Sequence, residues 1–211
     1  MLMPIDYLIR KHKMNITGII HVGASYGQEM KDYHAAGIKN IIWIEAIPDV
    51  YSILAQKMNL FPGSKCFHAC ISNQDDQLVH FNITSNNGLS SSIFNLQEHT
   101  ISYPNIVVVE KLALTTITLD TLLQQEGIEV DGRYNFLNLD IQGAELLALQ
   151  GAQKNLEKLK YIYLETNQRL LYEGCALEPE VDAFLSDYHF RPVESKVRPA
   201  GWGEKFYIHE S

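Results

Sequence analysis

Short apolar runs alternate along the chain with stretches of helical spacing. Residues 17–22 (TGIIHV) are apolar and β-branched and end at Gly23, which predicts a buried strand. Residues 26–36 carry apolar side chains at helical intervals and stop at Gly37, a common C-terminal stop. Residues 40–45 (NIIWIE) predict a second strand, and residues 49–58 a second helix with Pro48 and Asp49 at its start. Strands are expected over 64–71 and 78–83, joined by the polar turn 73–76, with a short strand over 106–109. Thr118 is placed to cap a helix over 118–126. A strand at 134–140 (YNFLNLD), a helix at 143–149 stopping at Gly151 and a strand at 159–165 (LKYIYLE) follow. A helix over 178–187, with Pro179 in its first turn, leads to two closing strands at 190–194 and 205–209. Residues 84–105 and 196–203 have little periodicity and read as surface loops.

Strand and helix in alternation predict an α/β fold with a mostly parallel sheet. The runs IIHV, IIWI and YIYL are apolar throughout, as parallel strands buried on both faces must be. The last two strands have no helix between them and are expected to form an antiparallel hairpin at one sheet edge. One domain is expected over residues 1–211, with 1–16 as an N-terminal segment and 84–105 as a loop beside the site. In such sheets a ligand lies outside the carboxyl ends of the strands, where the strand order reverses. Those ends are residues 23–27, 45–48, 71–72, 140–143 and 165–167.

Composition narrows the partners. The 211 residues carry 17 Lys+Arg against 25 Asp+Glu, a net charge of −8, which argues against phosphate backbones and anionic membranes as partners. No nucleic-acid partner is therefore expected. No apolar run approaches the roughly 20 residues of a membrane span, and the opening Met1-Leu2-Met3-Pro4 lacks the features of a signal peptide. Three cysteines cannot all pair within one chain, so a reducing, cytoplasmic setting is expected. Cys66, His68 and Cys70 alternate along one expected strand, but the strand rise puts the outer two about 13 Å apart, too far for one zinc ion. No metal site is expected.

The strand ends hold the candidate chemistry. Gly23 and Gly27 bracket Ala24, Ser25 and Tyr26 between the first strand and helix, where glycine permits a tight turn and close backbone approach to a ligand. Glu45 stands 22 residues after Gly23 at the tip of the second strand. A carboxylate there accepts hydrogen bonds from both ribose hydroxyls of a nucleoside. Asp140 ends a central strand and faces the ligand, and Glu165 ends its neighbour. Two adjacent carboxylates push one pKa upward, which suits a general base. Glu145 falls in the first turn of the following helix, where the helix dipole favours a carboxylate.

These segments resemble the FkbM family of S-adenosylmethionine-dependent O-methyltransferases. The similarity is carried by HVGASYGQE (21–29), IIWIEAIP (41–48), GLSSSIF (88–94), TITLDTLL (116–123), FLNLDIQGAELLALQGA (136–152) and YLETN (163–167). It implies a class I methyltransferase fold with a seven-stranded sheet, S-adenosyl-L-methionine as cofactor, and a small-molecule or glycan acceptor, expected to be a sugar hydroxyl. Under it, Glu45 would hold the ribose, and Gly23, Ala24, Ser25 and Gly27 would pass under the methionine. Gln28 or Glu29 would reach its tail. Ala46 and Ile47 would flank the adenine, with Ser72 at its edge. Asp140 would position the reacting groups, and Glu165 or Glu145, with His21 as a lesser candidate, would take the proton. Ser90, Ser91, Ser92 and Asn167 would meet the acceptor, and Tyr172 and Trp202 would offer aromatic platforms. Two positions depart from the pattern: His21 where the superfamily often has Asp, and Gln142 where many similar chains have Glu. The competing classes are a methyltransferase-like domain that binds a glycan without turnover, and an NAD-dependent oxidoreductase. The second would need a tighter glycine loop and a hydride-site pair, neither of which the sequence supplies.

Overall fold

The computed structural model describes residues 1–210. Eight helices and ten strands succeed one another as α1 (Ile5–His12), β1 (Ile19–Val22), α2 (Met30–Ala35), β2 (Ile41–Glu45), α3 (Pro48–Met58), β3 (Ser64–His68), β4 (Cys70–Ile71) and β5 (Leu78–Thr84), then α4 (His99–Ser102), β6 (Val108–Ile117), α5 (Leu119–Gln125), β7 (Phe136–Leu139), α6 (Glu145–Gln150), α7 (Gln153–Leu156), β8 (Tyr161–Asn167), α8 (Glu178–Asp187), β9 (Phe190–Val197) and β10 (Trp202–His209). Seven strands form one sheet in the order β3-β2-β1-β7-β8-β10-β9. The first five run parallel, and β10 runs antiparallel to both β8 and β9. This is the class I methyltransferase architecture that the family resemblance implied, with the hairpin that the strand pattern predicted at its edge.

Alternation along each strand builds two cores. Ile20, Val22, Ile42, Ile44, Leu137 and Leu139 face a layer that includes residues of α5, α6 and α8. Ile19, Ile41, Trp43 and Phe136 face the other way, onto Met30 and Tyr33 of α2, Leu54 of α3 and Leu8 of α1. Full burial on both faces explains why these strands read as continuous apolar runs.

The stretch 84–105, expected as a surface loop, holds α4 and buries Ser90, Ser91, Ser92 and His99; α7 was not expected; and β9 and β10 extend into the loop expected over 196–203. Four further elements differ from expectation. The helix expected over 26–36 starts only at Met30, because Gly23, Ser25 and Gly27 all take positive φ and hold the chain in a loop. The strand expected over 64–71 is broken at Ala69, whose N–H donates to the Glu45 carbonyl at 3.1 Å. Beyond it β4 leaves the large sheet and pairs with β6 in a second sheet of order β4-β6-β5, so His68 and Cys70 belong to different sheets. β6 runs for ten residues where a short strand over 106–109 was expected. It is a mostly half-exposed ribbon paired to β5, and its signal is an alternation of Leu112 and Leu114 with polar or small residues rather than an apolar run. Residues 1–16, read only as a terminal segment, form α1, which buries Ile5 and Leu8 and turns Arg10 and Lys11 outward. Among the described residues no helix is long and apolar enough to cross a membrane.

Candidate active site

The strand order turns back at β1 and β7, and two clefts open at their carboxyl ends. The N–H groups of Gly23 and Ala24 both donate to the Ile44 carbonyl at 3.0 Å. Gly23 has φ +78°, and a Cβ there would run into the Asp140 carbonyl, so glycine is required on two counts. The turn aims the Ser25 N–H at Glu45, which it meets at Oε2 at 2.7 Å, while the Ile47 N–H donates to Oε1 at 2.9 Å. Glu45 is buried. Burial raises its pKa, and the backbone donors oppose that shift by stabilising the charged form. Each carboxylate oxygen keeps capacity for a second donor.

The first cleft, about 780 Å³, is floored by this loop. Gly23, Ala24, Ser25, Gln28 and Glu29 line it from β1 onward, and Glu45, Ala46 and Ile47 from β2. Asp140 closes one end, and Ile71 and Phe81 supply apolar wall. Two expected residues lie elsewhere. Gly27 faces α3, where a Cβ would meet Met58 and Leu54, and its carbonyl accepts a hydrogen bond from Lys57 Nζ at 2.9 Å. Ser72 is buried outside the lining, because the chain turns away after Ile71 to bring the Ser72 carbonyl against Gly151. Cys70 and Ile71 take its expected place at the cleft wall.

The second cleft, about 970 Å³, shares Leu89, Asp140 and Gln142 with the first. Gln142 is the joint between them. Its Nε2 donates to Asp140 Oδ1 at 2.7 Å and to Glu165 Oε2 at 3.1 Å, and its Oε1 accepts from the Tyr172 hydroxyl at 2.7 Å. It does so from left-handed backbone, φ +56°, pinned by a hydrogen bond from Ser92 Oγ to its carbonyl at 2.8 Å. Strain of this kind persists only where surrounding contacts over-determine it. Burial, then the charges of Asp140 and Glu145, push Glu165 well above the usual carboxylate range. Asp140 is also raised, first by the protein packed around it and then by Glu29. Its side chain nonetheless opens to solvent in the clefts, so its desolvation becomes complete only when they fill. Glu204 stands directly across from Glu165 in the β8–β10 register and lines the same cleft. Leu2 N–H and the Tyr163 hydroxyl both donate to it, and burial pushes its carboxyl up to about 7.

Several expected roles are corrected by this geometry. Glu145 lines neither cleft: its two oxygens accept the N–H groups of Ile141 at 2.9 Å and Gly143 at 3.0 Å, so it shapes the 140–143 loop from behind. His21 borders the first cleft but is engaged on both nitrogens, with Asn138 Nδ2 3.2 Å from Nε2 and the Tyr33 hydroxyl 3.3 Å from Nδ1. Burial lowers it to about 4, which keeps it neutral and unsuited to base work. The three serines diverge. Ser90 faces the second cleft, Ser91 the first, and Ser92 neither, being spent on Gln142. Asn167 is buried outside both clefts. Tyr172 and Trp202 do line the second cleft, Trp202 half-buried with its indole N–H donated to the Tyr103 hydroxyl at 2.8 Å. His99, Tyr103, Leu89 and Glu204 were not anticipated. Only the hairpin register, which brings Glu204 opposite Glu165, would have identified one of them.

Against known proteins, the model of the methyltransferase FkbM domain matches residues 21–192. The 2-O-methyltransferase NoeI of Sinorhizobium fredii (strain NBRC 101917 / NGR234) is 23% identical over 163 residues, covering 74% of this chain and 65% of that protein. The chain thus spans less than two thirds of the length of this relative. Among solved structures, magnesium protoporphyrin IX methyltransferase from Synechocystis PCC 6803, with bound SAM, superimposes with a TM-score of 0.52 at 9% identity, over 97% of this chain and 76% of that one. A putative tRNA (m1A22) methyltransferase of Streptococcus pneumoniae gives 0.51 at 11%, over 96% and 68%. At such identities these two show a common fold alone. The family match is of another kind, since it runs from the glycine loop to the closing hairpin and takes in Glu45, Asp140, Gln142 and Glu165, and by it the chain belongs to the FkbM methyltransferase family.

Proposed function

We propose that this protein is an S-adenosylmethionine-dependent O-methyltransferase acting on a sugar or glycan hydroxyl. The observation that carries the reading is the pair of clefts joined at Asp140 and Gln142, one suited to a nucleoside and the other to a polyol. The first cleft fits the cofactor in the chemistry of its lining. Glu45 has acceptor capacity for a ribose diol, Ala46, Ile47 and Ile71 give an apolar slot for adenine, and Asp140 offers negative charge to an α-ammonium group, with Glu29 beside it already paired to the Met1 ammonium at 3.3 Å. When bound, S-adenosylmethionine supplies a methyl group on a sulfonium, open to attack by an oxygen nucleophile.

The chain's own residues supply alignment and a proton acceptor. Gln142 fixes the separation of Asp140 and Glu165 by donating to both. Glu165, raised by burial and by its neighbours, is the base: in ionised form it takes the hydroxyl proton as the oxygen bonds to carbon. The relative named a 2-O-methyltransferase supports oxygen as the methylated atom. Isothermal calorimetry with S-adenosylhomocysteine tests the cofactor half. Micromolar binding, weakened in Glu45→Gln, is expected. No binding at high micromolar ligand, with Glu45→Ala behaving as the parent does, would overturn the proposal.

A further inference from the structure

We infer that the acceptor cleft takes a ring that is uncharged or bears an ammonium group, and rejects phosphorylated, nucleotide-linked and uronate forms of the same sugar. This narrows the methyltransferase reading above and rests on it. The carboxylates of Asp140, Glu165 and Glu204 converge on the cleft, and none of its described lining residues is a lysine or arginine. Met1 also lines it, and its α-ammonium is paired to Glu29 at 3.3 Å and lies 3.9 Å from Glu204, so that it is already engaged by acids. The rest of the polar lining is neutral. Asn86 and Ser90 are uncharged, and His99, lowered by burial, carries no charge near pH 7. His99 is 4% exposed, and its Nδ1 has no hydrogen-bond partner, leaving one unfilled polar position on this wall.

The arginine side chains near the cleft stand outside it. Arg169 is paired to Glu98 at 2.8 Å, and Arg198 is exposed, 6.0 Å from the centroid of the Trp202 ring. A phosphate on the reacting ring would therefore enter a concave, acid-lined wall whose one ammonium is already paired, and would be repelled by each carboxyl that is ionised, the more strongly for the low dielectric of the walls. An ammonium would meet attraction from the same groups. Tyr103, Tyr172 and Trp202 suit either permitted class, since aromatic faces pack on the C–H face of a pyranose and also attract cations.

The test uses matched sets of glucose, galactose and mannose derivatives: methyl glycoside, 2-amino sugar, uronate, 6-phosphate and nucleoside-diphosphate form, with a short single-stranded RNA alongside. Saturation-transfer NMR on protein loaded with S-adenosylhomocysteine reads binding, and mass spectrometry with S-adenosylmethionine reads the gain of one methyl. Binding and methylation confined to neutral and amino members, with anionic members at least tenfold weaker, is expected. Glu204→Gln should shrink that ratio; an unchanged ratio would count against the inference. An anionic member or the RNA handled as well as a neutral sugar overturns it. So does the absence of binding by every member while S-adenosylhomocysteine still binds, a result that leaves the cofactor reading standing. Failure of S-adenosylhomocysteine itself to bind overturns the reading beneath it.

Discussion

Gln142→Glu tests the joint between the two clefts without an acceptor in hand. The parent amide donates to Asp140 and Glu165 and accepts from Tyr172. A glutamate would keep the acceptor and lose both donors. Ionised, it would bring a third carboxylate to within hydrogen-bonding range of two others. A like pair about 4 Å apart costs about 4 kcal/mol at an effective dielectric of about 20. Asp140 is open to cleft solvent, so its share is screened; Glu165 is buried, and its share is felt as competition for a proton between it and the new carboxyl. About 2 kcal/mol is a fair net figure, and the group avoids it by keeping its proton. A carboxyl whose folded pKa is raised contributes stability that is complete below its unfolded pKa and lost as pH rises through the folded one. The variant should therefore lie closest to the parent at pH 5 and fall further behind as pH rises. For a chain this size about 2 kcal/mol corresponds to about 4–8 °C of Tm. Thermal unfolding followed by circular dichroism between pH 5 and 8.5, with Gln142→Met as control, reads the difference. The Met variant loses the same donors, which favour the ionised forms of Asp140 and Glu165, without gaining charge, and should fall behind the parent less steeply with pH. Parallel curves for Gln142→Glu and the parent would refute the reasoning.

Three further outcomes are expected. Gly23→Ala must force a Cβ against the Asp140 carbonyl from left-handed backbone, so it should lower stability by more than about 3 kcal/mol or prevent folding, read by chemical denaturation. Glu45→Gln replaces a charged acceptor by an amide whose NH₂ end faces a backbone donor, and charge-assisted bonds contribute about 1.5–3 kcal/mol each. Affinity for S-adenosylhomocysteine should fall tenfold to a hundredfold, on the order of 1.4–2.8 kcal/mol, and equal titration curves would exclude Glu45 from the cofactor site. His21, lowered by burial from 6.5 to about 4, stabilises the fold in its neutral form. That contribution is complete above about 6.5 and is lost as pH falls toward 4, about 3 kcal/mol in all. Denaturation midpoints of His21→Phe should lack this slope, and a slope equal to the parent's would assign the acid sensitivity elsewhere.

The large sheet was legible because parallel strands buried on both faces leave an unbroken apolar signature, as in IIHV and IIWI. Asp140, Glu165 and Glu45 were legible for a related reason: each is the polar residue at or just past the end of such a run. The second sheet was not. β6 is wet on one face and broken by Glu110 and Lys111, so only period-two alternation marks it, and β4 is two residues long. The clefts were half legible. Glu204, Tyr103 and His99 reach the site through hairpin register and loop packing, which no local pattern encodes. Ser92 and Glu145 looked chemical and proved architectural, because a side chain that satisfies backbone near a site has the same residue type as one that meets a ligand.

The two departures from the family pattern have one physical meaning. Position 21, often Asp in the superfamily, holds a histidine beside Tyr33 and Asn138, and position 142, often Glu, holds a glutamine between two carboxylates. The Asn138 amide donates to His21 Nε2, which leaves the proton on Nδ1, directed to the Tyr33 oxygen; the Tyr33 hydroxyl, accepting there and from Asn138 at 2.8 Å, donates its own hydrogen to Met1 Sδ at 3.8 Å. The network closes with every member neutral. An aspartate at 21 would be buried there close enough to Glu29 to feel it, since that carboxylate already perturbs the histidine, and the one nearby cation, the Met1 ammonium, is paired to Glu29 at 3.3 Å. A glutamate at 142 would add a further charge against Asp140 and Glu165. Glu29, Asp140, Glu165 and Glu204 already border the two clefts. A neutral residue at each position thus spares a further negative charge on walls that already hold five acids, Glu45 among them. With those two positions neutral, Asp140 and Glu165 can be held together by one amide, and Glu165 can sit high in the carboxylate range without a third acid competing for its proton.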